Sequence, residues 1–203
     1  MLISCEEDSS LVVDRLCDQS REQNTAVGCF YIDFEVRKGQ PAVSMLGSLV
    51  RQMVSGMERI PKEIWRAFQE QKKAIGGRNL QLPDVVKMLQ LVTCEQRTFM
   101  CIDAADECAA VQRFKLIDSL NQILERSPRT RIFLTGRPHI RAEVEKGLAQ
   151  RVVSVSVSPT KGDIVRYLRA RLDEDETPDA MDESLEADIR EKILGNNISE
   201  TCV

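Results

Sequence analysis

The composition of this chain is typical of a soluble globular protein. It has 203 residues, 42% of them hydrophobic and 30% charged, with a formal net charge of −4, which suits one domain with a sizeable core. The acidic balance gives no electrostatic basis for binding nucleic acid or an anionic membrane, and no apolar run has the length of a membrane span. The seven Cys include no CxxC pair, and with a single His they make no zinc-binding set. We therefore expect reduced thiols and a cytoplasmic location.

The first half of the chain predicts one strand among four helices. Apolar residues recur at helical spacing in Ser9–Glu22, and the β-branched and aromatic run Ala26–Phe34 predicts a buried strand. Three further helices are indicated by amphipathic spacing and a proline near each start: Gln40–Met57, a helix that opens at Pro61 and stops at Gly76, and Val85–Thr93.

The second half alternates short apolar strands with helices. Strands are predicted over Thr98–Asp103, Thr130–Thr135 and Arg151–Val157, the last with a Val/Ser alternation typical of an edge strand or of one solvated face. Helices are predicted between and after these strands: Val111–Arg126, Ile140–Leu148 and Lys161–Leu172. Strands that alternate with helices indicate an α/β fold with a parallel sheet.

The end of the chain differs in composition from the rest. Residues 173–188 hold nine acidic side chains among sixteen positions, which predicts a solvated and flexible link. We therefore divide the chain into an α/β domain over residues 1–172 and, over residues 173–203, an acidic link with the start of a helical extension.

Three carboxylates lie at and just beyond the end of the strand Thr98–Asp103, namely Asp103, Asp106 and Glu107. Ligands of an open α/β sheet bind beyond the carboxyl ends of its strands. In nucleotide hydrolases a strand of this kind is the Walker B strand, where one carboxylate holds Mg²⁺ and a nearby one positions the attacking water. The alternative is an apolar strand followed by an acidic first turn of a helix, where carboxylates favour the helix dipole. The spacing alone leaves both interpretations open.

A second polar group ends the next strand, in the sequence Thr135-Gly-Arg137-Pro138. A polar side chain or an Arg at this place can face the γ-phosphate of a nucleotide, because the planar guanidinium pairs with phosphate oxygens. The alternative is a turn that ends the strand for conformational reasons only.

The phosphate-binding sequence G-x-x-x-x-G-K-[ST] does not occur in the 203 residues. In nucleotide hydrolases its backbone N–H groups and its Lys hold the phosphates. We therefore expect poor affinity for a nucleoside triphosphate.

Taken together, these segments resemble the NACHT nucleotide-binding domain of fungal NOD-like proteins of the STAND class, in the branch akin to the N-terminal module of nephrocystin-type proteins. The resemblance covers about residues 9–199 and is carried by CFYIDF, LGSLVRQMV, TFMCIDAADEC, RIFLTGRPHIRAEV and DIVRYLRARL. It implies a three-layer, parallel-sheet fold like that of P-loop NTPases. The fold would be incomplete, because the family's first strand and Gly-Lys-Thr loop precede the helix that begins here near Ser9. Relatives also continue past Glu200, so we expect a chain that is cut at both ends.

The resemblance implies a role for each candidate residue. Asp103 takes the Mg²⁺ role, Asp106 or Glu107 the water-activating role, Arg137 the role of a sensor and Thr135 a contact with the cofactor. The implied cofactors are Mg²⁺ with ATP or GTP. In the family's sheet the missing first strand lies between the strands that correspond to 131–135 and 151–157, so its loss would leave a gap there.

Three functions are compatible with these features. The first is a fragment of a NACHT-type signalling NTPase that keeps the Walker B strand and the sensor but has impaired nucleotide binding and hydrolysis. The alternative is a non-enzymatic decoy that docks onto NACHT partners, of its own kind or another, through the open slot in its sheet. A differently built hydrolase that uses the acids for metal-assisted chemistry ranks last, since nothing in the sequence supplies a nucleophile.

Overall fold

A parallel sheet of three strands forms the centre of the fold. The computed structural model describes residues 6–21, 25–32, 40–57, 59–73, 80–149, 151–157, 160–173 and 192. The strands are β1 (Thr25–Tyr31), β2 (Arg97–Asp103) and β3 (Thr130–Leu134), in the order β1-β2-β3. In register, Tyr31 of β1 pairs with Asp103, and Ile102 of β2 pairs with Leu134. The carboxyl ends of all three strands therefore lie at one edge of the sheet.

Helices surround this sheet in the order expected from the sequence, with ends that differ by a few residues. They are α1 (Glu6–Arg21), α2 (Ala42–Ser55), α3 (Lys62–Lys73), α4 (Leu82–Glu95), α5 (Ala110–Arg126), α6 (Arg141–Gly147) and α7 (Lys161–Asp173). Two single turns of 3₁₀ helix follow strand ends, at Ala105–Glu107 and Pro138–Ile140. None of the described helices is long and apolar enough to cross a bilayer.

The helices cover both faces of the sheet. On one face, the side chains of Met100 and Ile102 are buried in the hydrophobic core that α2, α4 and α5 complete. On the other face, Val13 of α1 borders a small cavity together with Cys29 and Cys101. Successive side chains of a strand point to opposite faces, so these two sets belong to different layers. The α/β class and its three layers, predicted from the sequence, are confirmed, and the sheet is small and incomplete in comparison with that of a P-loop NTPase.

At Cys29, the outer edge of β1 is covered by a side chain of α2. The backbone N–H of Cys29 donates to Oε1 of Gln52 at 2.9 Å, and Nε2 of Gln52 donates back to the carbonyl oxygen of Cys29 at 2.8 Å. The amide group of Gln52 thus makes the two hydrogen bonds that a neighbouring strand would otherwise make. Gly28, the preceding residue, allows α2 to lie close, since a Cβ there would be 3.0 Å from Cε of Met53.

The prediction of a fourth strand over Arg151–Val157 is wrong. Only Val157 makes an isolated bridge, and residues 151–156 form no regular ladder. A cavity of about 460 Å³ separates this segment from β3. A strand is stabilised by a ladder of hydrogen bonds to a neighbouring strand, and no described strand pairs with residues 151–156. The Val/Ser pattern therefore indicates the extended conformation but not the pairing.

Most of the predicted acidic link and helical extension cannot be compared with the structure. Of residues 174–203, only Lys192 is among the residues described. The end of the first predicted strand, beyond Ile32, also lies outside the described residues.

Candidate functional site

Thr135 and Asp103 join the ends of the two neighbouring strands β2 and β3. The hydroxyl of Thr135 donates to Oδ1 of Asp103 at 2.5 Å, and it accepts a hydrogen bond from the backbone N–H of Ala104 at 2.8 Å. Thr135 is buried, while Asp103 is half-buried. One hydroxyl thus orients the carboxylate and satisfies the first peptide group beyond the strand.

The backbone of Thr135 extends this connection. Its N–H donates to the carbonyl oxygen of Ile102 at 3.0 Å, and its own carbonyl accepts from the N–H of Ala105 at 2.9 Å. Between these contacts the chain turns at Ala104, whose φ of 54° lies in the left-handed region. Because four hydrogen bonds meet at Thr135, the turn that carries the acidic residues has a defined position relative to β3.

Asp106 and Glu107 both contact Arg137. The backbone N–H of Arg137 donates to Oδ1 of Asp106 at 3.2 Å. The guanidinium lies 3.5 Å from Oδ2 of Asp106 through Nε and 3.5 Å from Oε1 of Glu107 through Nη2. The Asp106 side chain is 6% exposed, whereas that of Arg137 is 63% exposed. All five residues singled out in the sequence therefore meet at one edge of the sheet, with the Arg on the solvent side.

Gly136 allows the two turns to approach each other. A Cβ at this position would lie 2.6 Å from Cδ1 of Ile140 and 3.4 Å from the backbone nitrogen of Asp106. Ile140 is buried, so there is little room for a side chain at position 136.

Arg113 is part of the site although the sequence analysis did not identify it. Its Nη1 donates to the carbonyl oxygens of Cys108 at 2.8 Å and of Asp106 at 3.3 Å. Its Nε donates to Oε2 of Glu143 at 3.0 Å. Arg113, which is 9% exposed, therefore connects the turn of Asp106 to Glu143 of α6.

A signal for Arg113 was present in the sequence. It precedes the buried residues Leu116, Ile117 and Leu120 at intervals of three, four and seven residues, so it lies on the apolar stripe of α5. A charged residue on such a stripe needs polar partners in the folded state, so its position predicts buried polar contacts.

The described residues could bind Mg²⁺ through one carboxylate, that of Asp103, with other ligands supplied by water and phosphate. No group of three or more His, Cys, Asp or Glu side chains within the described ranges is arranged to hold a metal ion. Magnesium at phosphate sites commonly uses one or two carboxylates, with waters and phosphate oxygens completing its coordination. Asp103 suits this role, because only its Oδ1 is engaged by Thr135 and its Oδ2 has no hydrogen-bond partner among the residues described.

A parallel α/β sheet with an acidic group and a Thr-Gly-Arg group on neighbouring strand ends defines a fold of the P-loop NTPase type, here in incomplete form. A family model described as Nephrocystin 3, N-terminal, matches residues 9–137. The match spans more than half of the chain and includes all five predicted site residues, and the chain belongs to this family, which is a NACHT-associated region. Searches of curated proteins and of solved structures returned no match.

Proposed function

We propose that this chain is a NACHT-related signalling module that keeps the metal and sensor half of a nucleotide hydrolase site and has little nucleotide binding or turnover of its own. The family membership supports the signalling class. The observation that carries the proposal is the hydrogen bond between Thr135 and Asp103, because it links the acidic strand end to the strand end that would sense the nucleotide.

In this proposal each residue has a separate task. Asp103, oriented by Thr135, would hold Mg²⁺ through its second oxygen. When bound, the metal would neutralise charge on the β- and γ-phosphates of ATP or GTP. Asp106 or Glu107 would orient the attacking water through a carboxylate oxygen.

Arg137 would act as the sensor by changing partners. Its contacts with Asp106 and Glu107 are both 3.5 Å long, and its side chain is largely exposed. Long contacts of a largely exposed guanidinium are weak, so a phosphate oxygen could replace them. The exchange would release a carboxylate for water at the moment when Arg137 binds phosphate.

The weak turnover follows from the missing phosphate-binding sequence. Without the backbone N–H groups and the Lys of that loop, a triphosphate would depend on Arg137 and on a metal held by Asp103. Affinity and positioning would both suffer, and positioning is the main source of rate in phosphoryl transfer.

A phosphate-release assay with MgATP and with MgGTP tests the proposed level of activity. We expect no steady release above the buffer background for the unmodified chain. Steady turnover that is lost in Asp103→Asn and kept in Asp118→Asn, an exposed carboxylate on α5, would overturn the proposal of impaired hydrolysis.

A titration with Mn²⁺, followed by paramagnetic broadening of backbone amide signals, tests the metal role independently of turnover. We expect broadening that is centred on Ala104 and Thr135 at millimolar metal and that disappears in Asp103→Asn. Broadening that is unchanged in Asp103→Asn, or that is centred elsewhere, would remove Asp103 from the metal role.

A further inference from the structure

Helix α2 has a second face beside the one that it buries in the core. Ser44, Gly47, Arg51 and Val54 follow one another at intervals of three or four residues, so they lie along one stripe of the helix. All four line a cavity of about 680 Å³. A Cβ at Gly47 would meet no atom within 4 Å, so the helix leaves open space at the centre of this stripe.

The lining of this cavity is mainly apolar. Its walls come from α2, from α3 with the residues just before it, and from α4 with the residues just before it. The apolar lining residues include Val54, Ile60, Ile64, Trp65, Leu80 and Met88. Ile64 and Met88 belong to the hydrophobic core, whereas Ile60 and Trp65 are exposed. The cavity therefore leads from the core to the surface of the protein.

The size and the lining of the cavity suit a small apolar molecule. Its volume lies within the range of about 300–1,000 Å³ that ligand sites occupy, and such sites combine apolar and aromatic walls with a few polar groups. An occupant that covered Ile60 and Trp65 would remove apolar surface from water, and this removal favours binding.

One guanidinium supplies the charge of the cavity. Arg51 lines it, and none of the described lining residues is acidic. Arg51 takes part in none of the ion pairs found within the described ranges. The hydroxyl of Ser55 beside it is already engaged, since it donates to the backbone carbonyl oxygens of Arg51 and Gln52. A guanidinium binds a carboxylate through two parallel hydrogen bonds, so Arg51 can hold one such group at the cavity.

We propose that the cavity binds a free fatty acid, with its carboxylate on Arg51 and its alkyl chain between α2, α3 and α4. The single negative charge of the head group matches the single positive charge of the lining. A flexible chain of CH₂ groups follows the open space over Gly47 and covers the exposed ring of Trp65. The proposal does not depend on nucleotide chemistry.

A second copy of this chain fits the cavity less well. Two copies that met symmetrically at this face would each bring Arg51 and no described acidic lining residue. Two like charges would then meet without a counter-charge, which opposes association. A fatty acid instead brings the negative charge that the lining lacks.

Tryptophan fluorescence of the unmodified chain tests the proposal, because Trp65 lines the cavity and is the only Trp of the sequence. Dodecanoate, kept below its micelle concentration, should shift the emission to shorter wavelength in a saturable manner as the alkyl chain displaces water from the ring. Butanoate has the carboxylate without the long chain, and dodecyltrimethylammonium has the chain with the opposite charge. Each should bind at least about tenfold more weakly than dodecanoate. Absence of a saturable shift with dodecanoate, or equal affinity for either control compound, would overturn the proposal.

Two pairs of variants locate the binding on the protein. Gly47→Leu places a side chain in the open space of the cavity and should weaken dodecanoate binding at least about tenfold, whereas Gly47→Ala adds one methyl group and should keep most of the affinity. Both substitutions favour the helix over glycine, so a loss of binding would not report unfolding.

Arg51→Gln should weaken dodecanoate binding by about tenfold, and Arg15→Gln, at an exposed position of α1, should leave it unchanged. Equal affinities within either pair of variants would place dodecanoate elsewhere and overturn the proposal. Sedimentation velocity covers the other occupant: a dimer of the unmodified chain that Gly47→Leu dissociates would assign the cavity to a second copy instead.

Discussion

Thr135 is the residue on which the geometry of the site most depends. Its hydroxyl donates to Asp103 and accepts from the N–H of Ala104. Its backbone N–H donates to Ile102, and its carbonyl oxygen accepts from Ala105. A side chain without a hydroxyl at this position could keep the two backbone contacts but not the two side-chain contacts. The contribution of the hydroxyl can therefore be separated from that of the strand.

We expect Thr135→Val to lower the free energy of unfolding by about 1–3 kcal/mol, because it leaves the Ala104 N–H without its acceptor in a half-buried place. Thr135→Ser keeps the hydroxyl and is the matched control, with an expected loss below about 1 kcal/mol. Urea unfolding of the three proteins measures the difference. Equal stability of the Val and Ser variants would mean that the hydroxyl does not hold this turn.

Arg113 and Arg137 offer a comparison between a buried and an exposed guanidinium in one site. Arg113→Met leaves the carbonyl oxygens of Asp106 and Cys108 without a donor and Glu143 without its partner. We expect a loss of about 2–4 kcal/mol in urea unfolding, with the upper part reduced because Glu143 is 32% exposed. Arg137→Met should cost less than Arg113→Met, because the Arg137 guanidinium is largely exposed and Met keeps the backbone N–H that donates to Asp106. Similar losses for both variants would contradict the structural role given to Arg113.

Burial raises the pKa of the Cys101 thiol from its ordinary value of 9.0 to about 12, with smaller contributions from Cys29 and Cys17. A group with a raised pKa in the folded state stabilises the fold fully below its unfolded pKa, and this contribution is lost as pH rises through the folded value. We therefore expect stability to fall between pH 9 and pH 12, because the unfolded chain releases this proton first.

Urea unfolding at pH 8.0 and about pH 10.5 measures this effect, with the protein kept reduced. The fall in stability should be smaller in Cys101→Ala than in the unmodified chain, since other groups titrate equally in both. Cys94→Ala, at an exposed position, should keep the full fall. An identical pH dependence in all three proteins would show that the Cys101 thiol is not insulated from solvent.

At the scale of elements, the two edges of the sheet differ in what lies beside them. α2 covers the edge of β1 at Cys29 through Gln52, whereas β3 borders a cavity of about 460 Å³. At β1 a single side-chain amide makes the hydrogen bonds that a neighbouring strand would make. A substitution of Gln52 can therefore remove these bonds without changing a residue of the buried core.

We expect Gln52→Ala to lower stability by about 1–2 kcal/mol and to increase self-association, since it exposes the N–H and C=O of Cys29 at a strand edge. Gln90→Ala is the matched control, because the Gln90 amide donates to the carbonyl of Gln122 on an exposed helix surface. Urea unfolding and light scattering measure the two effects. A Gln52→Ala protein that is as stable and as monomeric as the control would refute the role of the amide.

The same scale shows how far the sequence predicts this fold. Apolar runs with polar ends were sufficient for β2 and β3, and the carboxyl ends of parallel strands then bring Asp103 and Thr135 together. The segment 151–157 has a strand pattern too, but pairing depends on a neighbour that local sequence does not specify. Arg113 was missed because its role depends on Glu143 of another helix and on the carbonyl oxygens of a turn. Contacts between residues that are distant in sequence are difficult to predict from the local sequence pattern.

At the scale of the whole molecule, the described residues form an α/β unit with two distinct surface features. One is an assembled group of Asp103, Thr135 and Arg137 at the carboxyl edge of the sheet, in a chain that belongs to a NACHT-associated family. The other is the cavity of about 460 Å³ between β3 and residues 151–155. The first is the group for which we propose a metal and sensor role, and the second is an apolar-lined opening beside the sheet.

The central proposal is that the metal and sensor residues are assembled, while these 203 residues lack the sequence that would bind the phosphates. Isothermal titration calorimetry of the unmodified chain with MgATP tests it most directly. We expect no saturable heat below millimolar nucleotide, since the chain has no G-x-x-x-x-G-K-[ST] sequence to hold the phosphates. A micromolar dissociation constant that Asp103→Asn abolishes would contradict the claim, because it would mean that these residues bind a triphosphate without that loop.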